Sequence, residues 1–202
     1  MARTEHVEIE GVPLVATLLP GSGIGLLSLH GSNEGGTAEL AELVARRCGA
    51  TSLVFTQPGV RRPVHIPSPR MAADHCALLR AFLDRVCLTV SLHGHMRPWA
   101  THTLFLGGGN REAALVLAEE LRALTPRFRT VTDLTAIPPA LRGLHPRNPV
   151  NLTRLGGVQV ELPLLARTTG AADTPPRPVA DALAAGVARL AQRWPTPTQE
   201  PR

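Results

Sequence analysis

The chain contains no lysine and no tyrosine, and it has few aromatic residues. All 21 of its Lys and Arg positions are arginine, and aromatic residues make up 3 % of the 202 positions. The absence of tyrosine excludes any mechanism that depends on a tyrosine hydroxyl, and the core must be built from Leu, Val and Ala. Hydrophobic residues still amount to 44 %, which indicates a globular chain with one full core.

Cysteine is scarce, and long apolar runs are missing. Cys48, Cys76 and Cys87 are dispersed and form no CxxC pair, which is typical of reduced thiols in a cytosolic protein. No apolar stretch approaches the roughly 18 residues of a membrane span, and the first residues show no apolar signal core. We therefore expect a cytoplasmic protein that makes no contact with membranes.

The charge balance is basic, with a formal net charge of +5. This excess is consistent with a coding bias towards arginine, or with a surface that attracts anions such as carboxylate-bearing substrates. The arginines are scattered, without a dense basic run or interleaved aromatic residues. Nucleic-acid-binding proteins usually cluster these residues, so we expect no nucleic-acid partner.

Strand and helix signals alternate, which predicts a three-layer α/β/α domain around a mixed sheet. We expect one catalytic domain over residues 1–195 and a disordered tail over 196–202. The predicted strands are residues 7–18 (one or two strands, with a turn at Gly11-Val12-Pro13), 24–29, 51–56, 87–92, 103–106, 128–132 and 158–162. The predicted helices are residues 37–48, 70–85, 111–124 and 177–194, and the predicted long loops are 57–69 and 137–151.

Two histidines follow similar strand segments, Leu-Ser-Leu-His30-Gly and Val-Ser-Leu-His93-Gly. Such strand ends are where an α/β sheet presents side chains to a ligand crevice. Glu34 follows His30 in a glycine-rich turn. Two imidazoles and a carboxylate are a sufficient ligand set for a catalytic zinc, so we predict a zinc site formed by His30, Glu34 and His93. The alternative makes His30 a buried strand-end histidine and Glu34 a solvated turn residue, and the second histidine argues against it.

Glu161 lies in a strand segment where apolar residues alternate with Gln159 and Glu161. A carboxylate at such a position is rarely buried without a partner. It either pairs with an arginine or acts as a general base that takes a proton from zinc-bound water. His95 is a candidate contact near the metal or the substrate. Asn148 and Asn151 are candidates to orient a substrate carboxylate or to stabilise their own loop.

Four motifs in order between about residues 25 and 167 resemble the poly-γ-glutamate hydrolase family, a zinc-carboxypeptidase-like group known from phages that cleaves γ-glutamyl amide bonds. They are His30-Gly-x-x-Glu34-Gly-Gly-Thr37-Ala-Glu39, Val90-Ser-Leu-His93-Gly, Phe105-Leu-Gly-Gly, and Asn148-Pro-Val-Asn151 with Gly156-Gly-Val-Gln-Val-Glu161-Leu.

The resemblance implies a zinc-carboxypeptidase or phosphorylase-hydrolase-like fold. It implies zinc ligation by His30, Glu34 and His93, with Glu161 as the catalytic base or acid. It also implies that Arg154 or Arg167 lies near a substrate carboxylate. Glu39, inside the following predicted helix, is the alternative carboxylate ligand.

The expected activity is zinc-dependent hydrolysis of a γ-glutamyl-type or other acidic amide bond, in a small or polymeric substrate. One alternative keeps the metal and makes the chain an N-acyl amino acid deacylase or a hydrolase that tailors a small peptide. A further alternative is a non-catalytic basic protein with a degenerate site, which would bind polyanions in a salt-sensitive way and hold no metal.

Overall fold

The computed structural model describes residues 1–71, 73–169 and 174–195, so the predicted tail over 196–202 lies outside the described residues. The strands are β1 (Arg3–Ile9), β2 (Val12–Leu19), β3 (Ile24–Ser28), β4 (Thr51–Thr56), β5 (Leu88–His95), β6 (Thr103–Leu106), β7 (Arg129–Val131) and β8 (Gly157–Pro163). The helices are α1 (Thr37–Cys48), α2 (Ala77–Arg85), α3 (Arg111–Leu124), α4 (Leu164–Arg167) and α5 (Arg177–Arg193).

All eight strands belong to one mixed sheet with the order β1-β2-β4-β3-β5-β8-β6-β7. The four central strands, β4, β3, β5 and β8, are parallel to one another, and the strands on either side run antiparallel to their central neighbours. Every residue of β3 and β8 is buried, as expected for strands covered on both faces.

After β3 the chain forms β4 on one side of β3 and then crosses over to form β5 on the other side of β3. Strand order therefore reverses at β3, and the carboxyl ends of the central strands form a crevice at this point. Ligands of open α/β sheets bind in such crevices.

Helices cover both faces of the sheet. On one face α1, α3 and α5 pack over strand residues such as Val90 and Val160 in the largest apolar cluster. On the other face α2 packs over Leu27, Leu53 and Phe55. These layers confirm the predicted α/β/α arrangement around a mixed sheet. None of the helices in the described part of the chain is long and apolar enough to cross a membrane.

The N-terminal segment forms a hairpin whose turn differs from the prediction. The two linking residues are Glu10 and Gly11, with φ of 51° and 76°, and Pro13 lies within β2 opposite Glu8. Two-residue hairpin turns favour positive φ at both positions, which proline cannot adopt. The expected turn at Gly11-Val12-Pro13 was therefore misplaced.

Helix α2 begins seven residues later than predicted, at Ala77. Cys76 caps the helix, and the Glu5 carboxylate of β1 accepts hydrogen bonds from the backbone N–H groups of Ala77 (3.0 Å) and Leu78 (2.7 Å). The residues expected to form the first turns instead contain short 3-10 turns at Ser68–Arg70 and Ala73–His75. A distant strand thus sets the start of this helix.

Candidate metal centre

Three side chains meet where the carboxyl ends of the central strands lie. His30 follows β3, His93 lies near the end of β5, and Glu34 lies in the turn before α1. The Nδ1 atoms of His30 and His93 are 3.2 Å apart. Glu34 places Oε1 3.2 Å from His30 Nδ1 and Oε2 3.5 Å from His93 Nδ1. The ligand atoms of the three residues all lie within 4.8 Å of one another.

The outer ring nitrogens of the two histidines show that this cluster fits a metal. His30 Nε2 lies 2.7 Å from the carbonyl oxygen of Ile66, which only accepts, so Nε2 carries the proton and Nδ1 presents a lone pair. His93 Nε2 lies 3.0 Å from the Ser91 hydroxyl. Metal-ligating histidines commonly engage their other ring nitrogen in this way. In their neutral forms with Nδ1 unprotonated, the two imidazoles and the carboxylate would offer three lone-pair donors to one cation, and this donor set suits zinc.

Glu34 is held as an ionised carboxylate. Its backbone N–H donates to the His30 carbonyl at 2.8 Å, and the Gly94 N–H donates to Oε2 at 2.9 Å. When no metal is bound, burial raises the pKa of Glu34, but the charge of His93 and hydrogen bonds with both histidines outweigh burial and hold this pKa well below its ordinary value. Burial lowers the pKa of His93, but Glu34 outweighs burial and raises it. The alternative ligand, Glu39, is exposed in the first turn of α1 and lies outside the cluster.

Glu161 lies beside the cluster, in β8, paired with His93 of β5. The predicted alternation holds, since Val158, Val160 and Leu162 belong to the core on the opposite face. The side-chain amide of Gln159 donates to Glu161 Oε1 at 2.8 Å, and the side-chain amide of Asn148 donates to Gln159 Oε1 at 2.9 Å. Burial raises the pKa of Glu161 to about 7, and the charge of Glu34 acts in the same direction against an opposing effect of His93. This carboxyl can exchange a proton near neutral pH.

These residues form the floor of an open cavity of about 590 Å³. The cavity also contains three residues that the sequence reasoning missed, His65, Arg97 and His145. The ring of His65 lies over His30 with centroids 4.3 Å apart, and its Nε2 lies 3.9 Å from Glu34 Oε1. All three lie in loops, and no local sequence pattern marks them. For His65 and Arg97 the available signal was that their loops follow β4 and β5, which end at the same sheet edge. The loop of His145 follows β7, which ends at the opposite edge, so this signal does not extend to it.

Two of the residues predicted to bind substrate do not line this cavity. Arg154 is exposed three residues before β8 begins at Gly157, and it lines another cavity with Gly21 and Cys87 at the opposite sheet edge. The expectation that Arg154 contacts a substrate carboxylate at this site was therefore wrong, because the length of β8 separates it from the cluster. Asn151 bonds to backbone groups, accepting from the Gly109 N–H and donating to the Gly143 carbonyl. It therefore stabilises its own loop.

The other two predicted substrate-binding residues, His95 and Arg167, do line the cavity. His95 Nε2 lies 2.9 Å from the Thr103 carbonyl, and its Nδ1 accepts from the Arg97 N–H at 3.4 Å. Burial lowers the pKa of His95. Arg167 is buried, and its Nη1 donates to the carbonyl oxygens of Glu34 and Gly35. Both side chains are therefore held by backbone groups of the site.

The chain is thus an α/β protein that gathers a His-Glu-His cluster at the carboxyl ends of parallel strands. The family model described as poly-gamma-glutamate hydrolase matches residues 9–170. The match covers most of the chain, which therefore belongs to this family. Membership makes the chain an enzyme that hydrolyses amide bonds.

Solved structures share this fold. A bacteriophage poly-gamma-glutamate hydrolase superimposes with a TM-score of 0.68 at 18 % identity, covering 96 % of this chain and 89 % of that one. YndL in a zinc-free form gives 0.67 at 19 % identity, covering 97 % and 91 %. A metallo-carboxypeptidase from Burkholderia cenocepacia gives 0.51 at 14 % identity, covering 95 % and 64 %. No curated protein matches the sequence. At these identities the superpositions establish the shared fold.

Proposed function

We propose that the chain is a zinc-dependent hydrolase that cleaves amide bonds in acidic, γ-glutamyl-type substrates. The observation that carries this proposal is the convergence of His30 Nδ1, His93 Nδ1 and the Glu34 carboxylate beside the buried carboxyl of Glu161. A zinc ion held by the first three residues would polarise a carbonyl group and make a water molecule more acidic.

Glu161 is the proposed general base. It would accept a proton from the attacking water and pass that proton to the nitrogen of the leaving amine. Its pKa of about 7 matches this task, because a base works best when its pKa lies near the working pH. The amide of Gln159 donates to Glu161 Oε1 and would hold this carboxyl in place at the cavity.

The charge of the surrounding loops supports an acidic substrate. Besides Glu34 and Glu161, the cavity is lined largely by the segments 65–69, 94–97 and 139–148, and these contain Arg97, Arg142 and Arg147 but no Asp or Glu. Such an arrangement attracts anions. Arg97 is exposed at the cavity and is close enough for its charge to lower the pKa of Glu161 against the effect of burial. We assign to Arg97 the contact with a substrate carboxylate, since a guanidinium binds a carboxylate through two parallel hydrogen bonds.

An apolar rim supports a second candidate function, the N-acyl amino acid deacylase. Met96 and Leu144 both line the cavity, and they are 69 % and 46 % exposed. Pro67 and Pro139 continue this rim. Apolar surface at the mouth of a polar site suits a substrate with an apolar acyl group beside the scissile amide.

The test is an amine-release assay on protein purified without a histidine tag. Zinc-loaded protein is compared with protein treated with a chelator and with the E161Q variant, on poly-γ-glutamate and on N-acyl glutamates of increasing chain length. Zinc-dependent cleavage of the γ-linked polymer supports the first function. Cleavage restricted to N-acyl amino acids replaces it with the second. The non-catalytic alternative predicts a different result: the protein binds no zinc, cleaves neither substrate and binds polyanions in a salt-sensitive way.

A cytoplasmic location also belongs to this proposal. Cys48, Cys76 and Cys87 are all free thiols, as is usual in a reducing compartment. We further propose that the enzyme acts without a nucleic-acid partner, because its arginines are dispersed and few aromatic residues accompany them. Cell fractionation tests the first statement, and a filter-binding assay with mixed-sequence DNA and RNA tests the second.

A further inference from the structure

Arg167, at the end of α4, contacts the candidate metal centre although it lies 133 positions after Glu34 in the sequence. The residue is buried, with 4 % of its surface exposed. Its Nη1 donates to the Glu34 carbonyl at 2.6 Å and also to the Gly35 carbonyl, and Nη2 lies 3.5 Å from Met96 Sδ. One guanidinium therefore ties together the turn that carries Glu34 and the loop that follows β5.

Glycines in both histidine motifs make room for this arginine. A Cβ added at Gly94, directly after His93, would lie 2.7 Å from Arg167 Nε. A Cβ added at Gly36 would collide with the backbone carbonyl of Arg167, and Gly36 also has a φ of +85°, which other residues rarely adopt. The small residues beside the proposed ligands thus allow Arg167 to pack directly against both ligand-bearing segments.

We propose that Arg167 is a positioning residue that places Glu34 for metal binding, and that it does not serve as the substrate's carboxylate partner. Nη1 fixes the Glu34 backbone through its carbonyl oxygen, while the Gly94 N–H fixes the side chain through Oε2. Together these contacts set where the carboxylate lies relative to His30 and His93. The inference rests on the proposed function, because it assumes that Glu34 is a metal ligand.

The two roles differ in what a substitution changes. Loss of a substrate-binding arginine raises KM and leaves zinc affinity unchanged. Loss of a residue that orients a metal ligand weakens metal binding, by about 10- to 100-fold in typical cases, and lowers kcat. It leaves the KM of the zinc-loaded protein close to that of the wild type.

Arg111 offers a matched control. Its guanidinium also donates to backbone carbonyls, those of Leu106 (2.9 Å), Gly108 (3.1 Å) and Thr132, but it does not line the cavity. Replacing it by Met removes the same kind of contact without touching the site. The R111M variant therefore reports the effect of losing a carbonyl-bound arginine on stability alone.

The experiment compares wild type, R167M, R167K and R111M. Zinc affinity is measured by competition with a chromophoric chelator, the cobalt-substituted proteins are examined by visible absorption, and thermal unfolding is followed without metal. We expect zinc binding by R167M to weaken about 10- to 100-fold, with an altered cobalt spectrum and a loss in kcat. We expect R167K, whose ammonium cannot reproduce the planar fork, to be intermediate, and R111M to bind zinc like the wild type.

Equal zinc affinity in R167M and the wild type would overturn the inference, and so would a rise in KM without a change in metal binding. If R167M does not fold, R167K decides by the same comparison, and wild-type zinc affinity in that variant would overturn the inference. A wild-type protein that binds no zinc would overturn the proposed function as well, so the two failures are distinguishable.

Discussion

Replacing Glu161 by Gln in the metal-free protein should make the fold more stable while removing the general base. The native protein buries this carboxyl at 3 % exposure, and burial raises its pKa from 4.5 to about 7. A glutamine keeps the carbonyl that accepts the Gln159 hydrogen bond, but it never carries the charge that burial penalises. The E161Q variant therefore isolates the free energy of burying the ionised form.

The sign of the effect depends on pH. Because the folded-state pKa is raised, the contribution of Glu161 to stability is fully present below its unfolded value of 4.5. It is lost as the pH rises through about 7. At about 1.4 kcal/mol per pH unit, the wild type loses about 3 kcal/mol over this range and E161Q does not. In a domain of this size, about 3 kcal/mol corresponds to a Tm difference of roughly 6–12 °C.

The assay is thermal unfolding of chelator-treated protein at pH 4 and pH 8. We expect E161Q to melt above the wild type at pH 8 and close to it at pH 4. The E8Q variant, which removes an exposed carboxylate of β1, serves as the control and should change little. In the zinc-loaded enzyme, E161Q should lower kcat by about 10²- to 10⁴-fold. If metal-free E161Q has the same Tm as the wild type at pH 8, the argument that burial of the ionised Glu161 destabilises the fold is refuted.

Further variants and conditions test other parts of the account. With zinc bound, kcat/KM should fall about tenfold per pH unit on an acid limb at or below pH 7, because Glu161 must be ionised; a flat profile down to pH 5 would contradict this. R97A should raise KM for carboxylate-bearing substrates and leave zinc content unchanged; an unchanged KM would exclude Arg97. E5A should destabilise the protein by about 1 kcal/mol in urea unfolding, because Glu5 accepts two N–H groups at the start of α2; E8A should not.

The sequence predicts the part of the candidate site that lies at strand ends, namely the two histidines after β3 and near the end of β5. A buried strand, a histidine and a glycine occur twice in the sequence, and β3 and β5 are indeed neighbours. The register was not predictable, because it depends on packing across the whole sheet. Leu27 pairs with Ser91, so the two motifs are one residue out of step, and His93 lies inside its strand while His30 follows its own.

Loop positions could not be predicted, because tertiary contacts set them. No local sequence pattern distinguishes Arg154 from Arg97. Arg154 nevertheless lies at the sheet edge where the central strands begin, whereas Arg97 lines the cavity at the edge where they end. His65 is brought over His30 by a long proline-rich loop. Similarly, helix α2 begins where Glu5, more than seventy positions away, accepts its first N–H groups. No local pattern carries such information.

The most direct test of the account is the zinc content of the wild type, measured by elemental analysis on protein purified without a histidine tag and incubated with zinc. The H93A variant, which removes one of the two Nδ1 atoms at the centre of the cluster, is measured beside it. The account predicts about one zinc per wild-type chain and a large loss in the variant. A wild type without zinc, or a variant that retains the full amount, would contradict it.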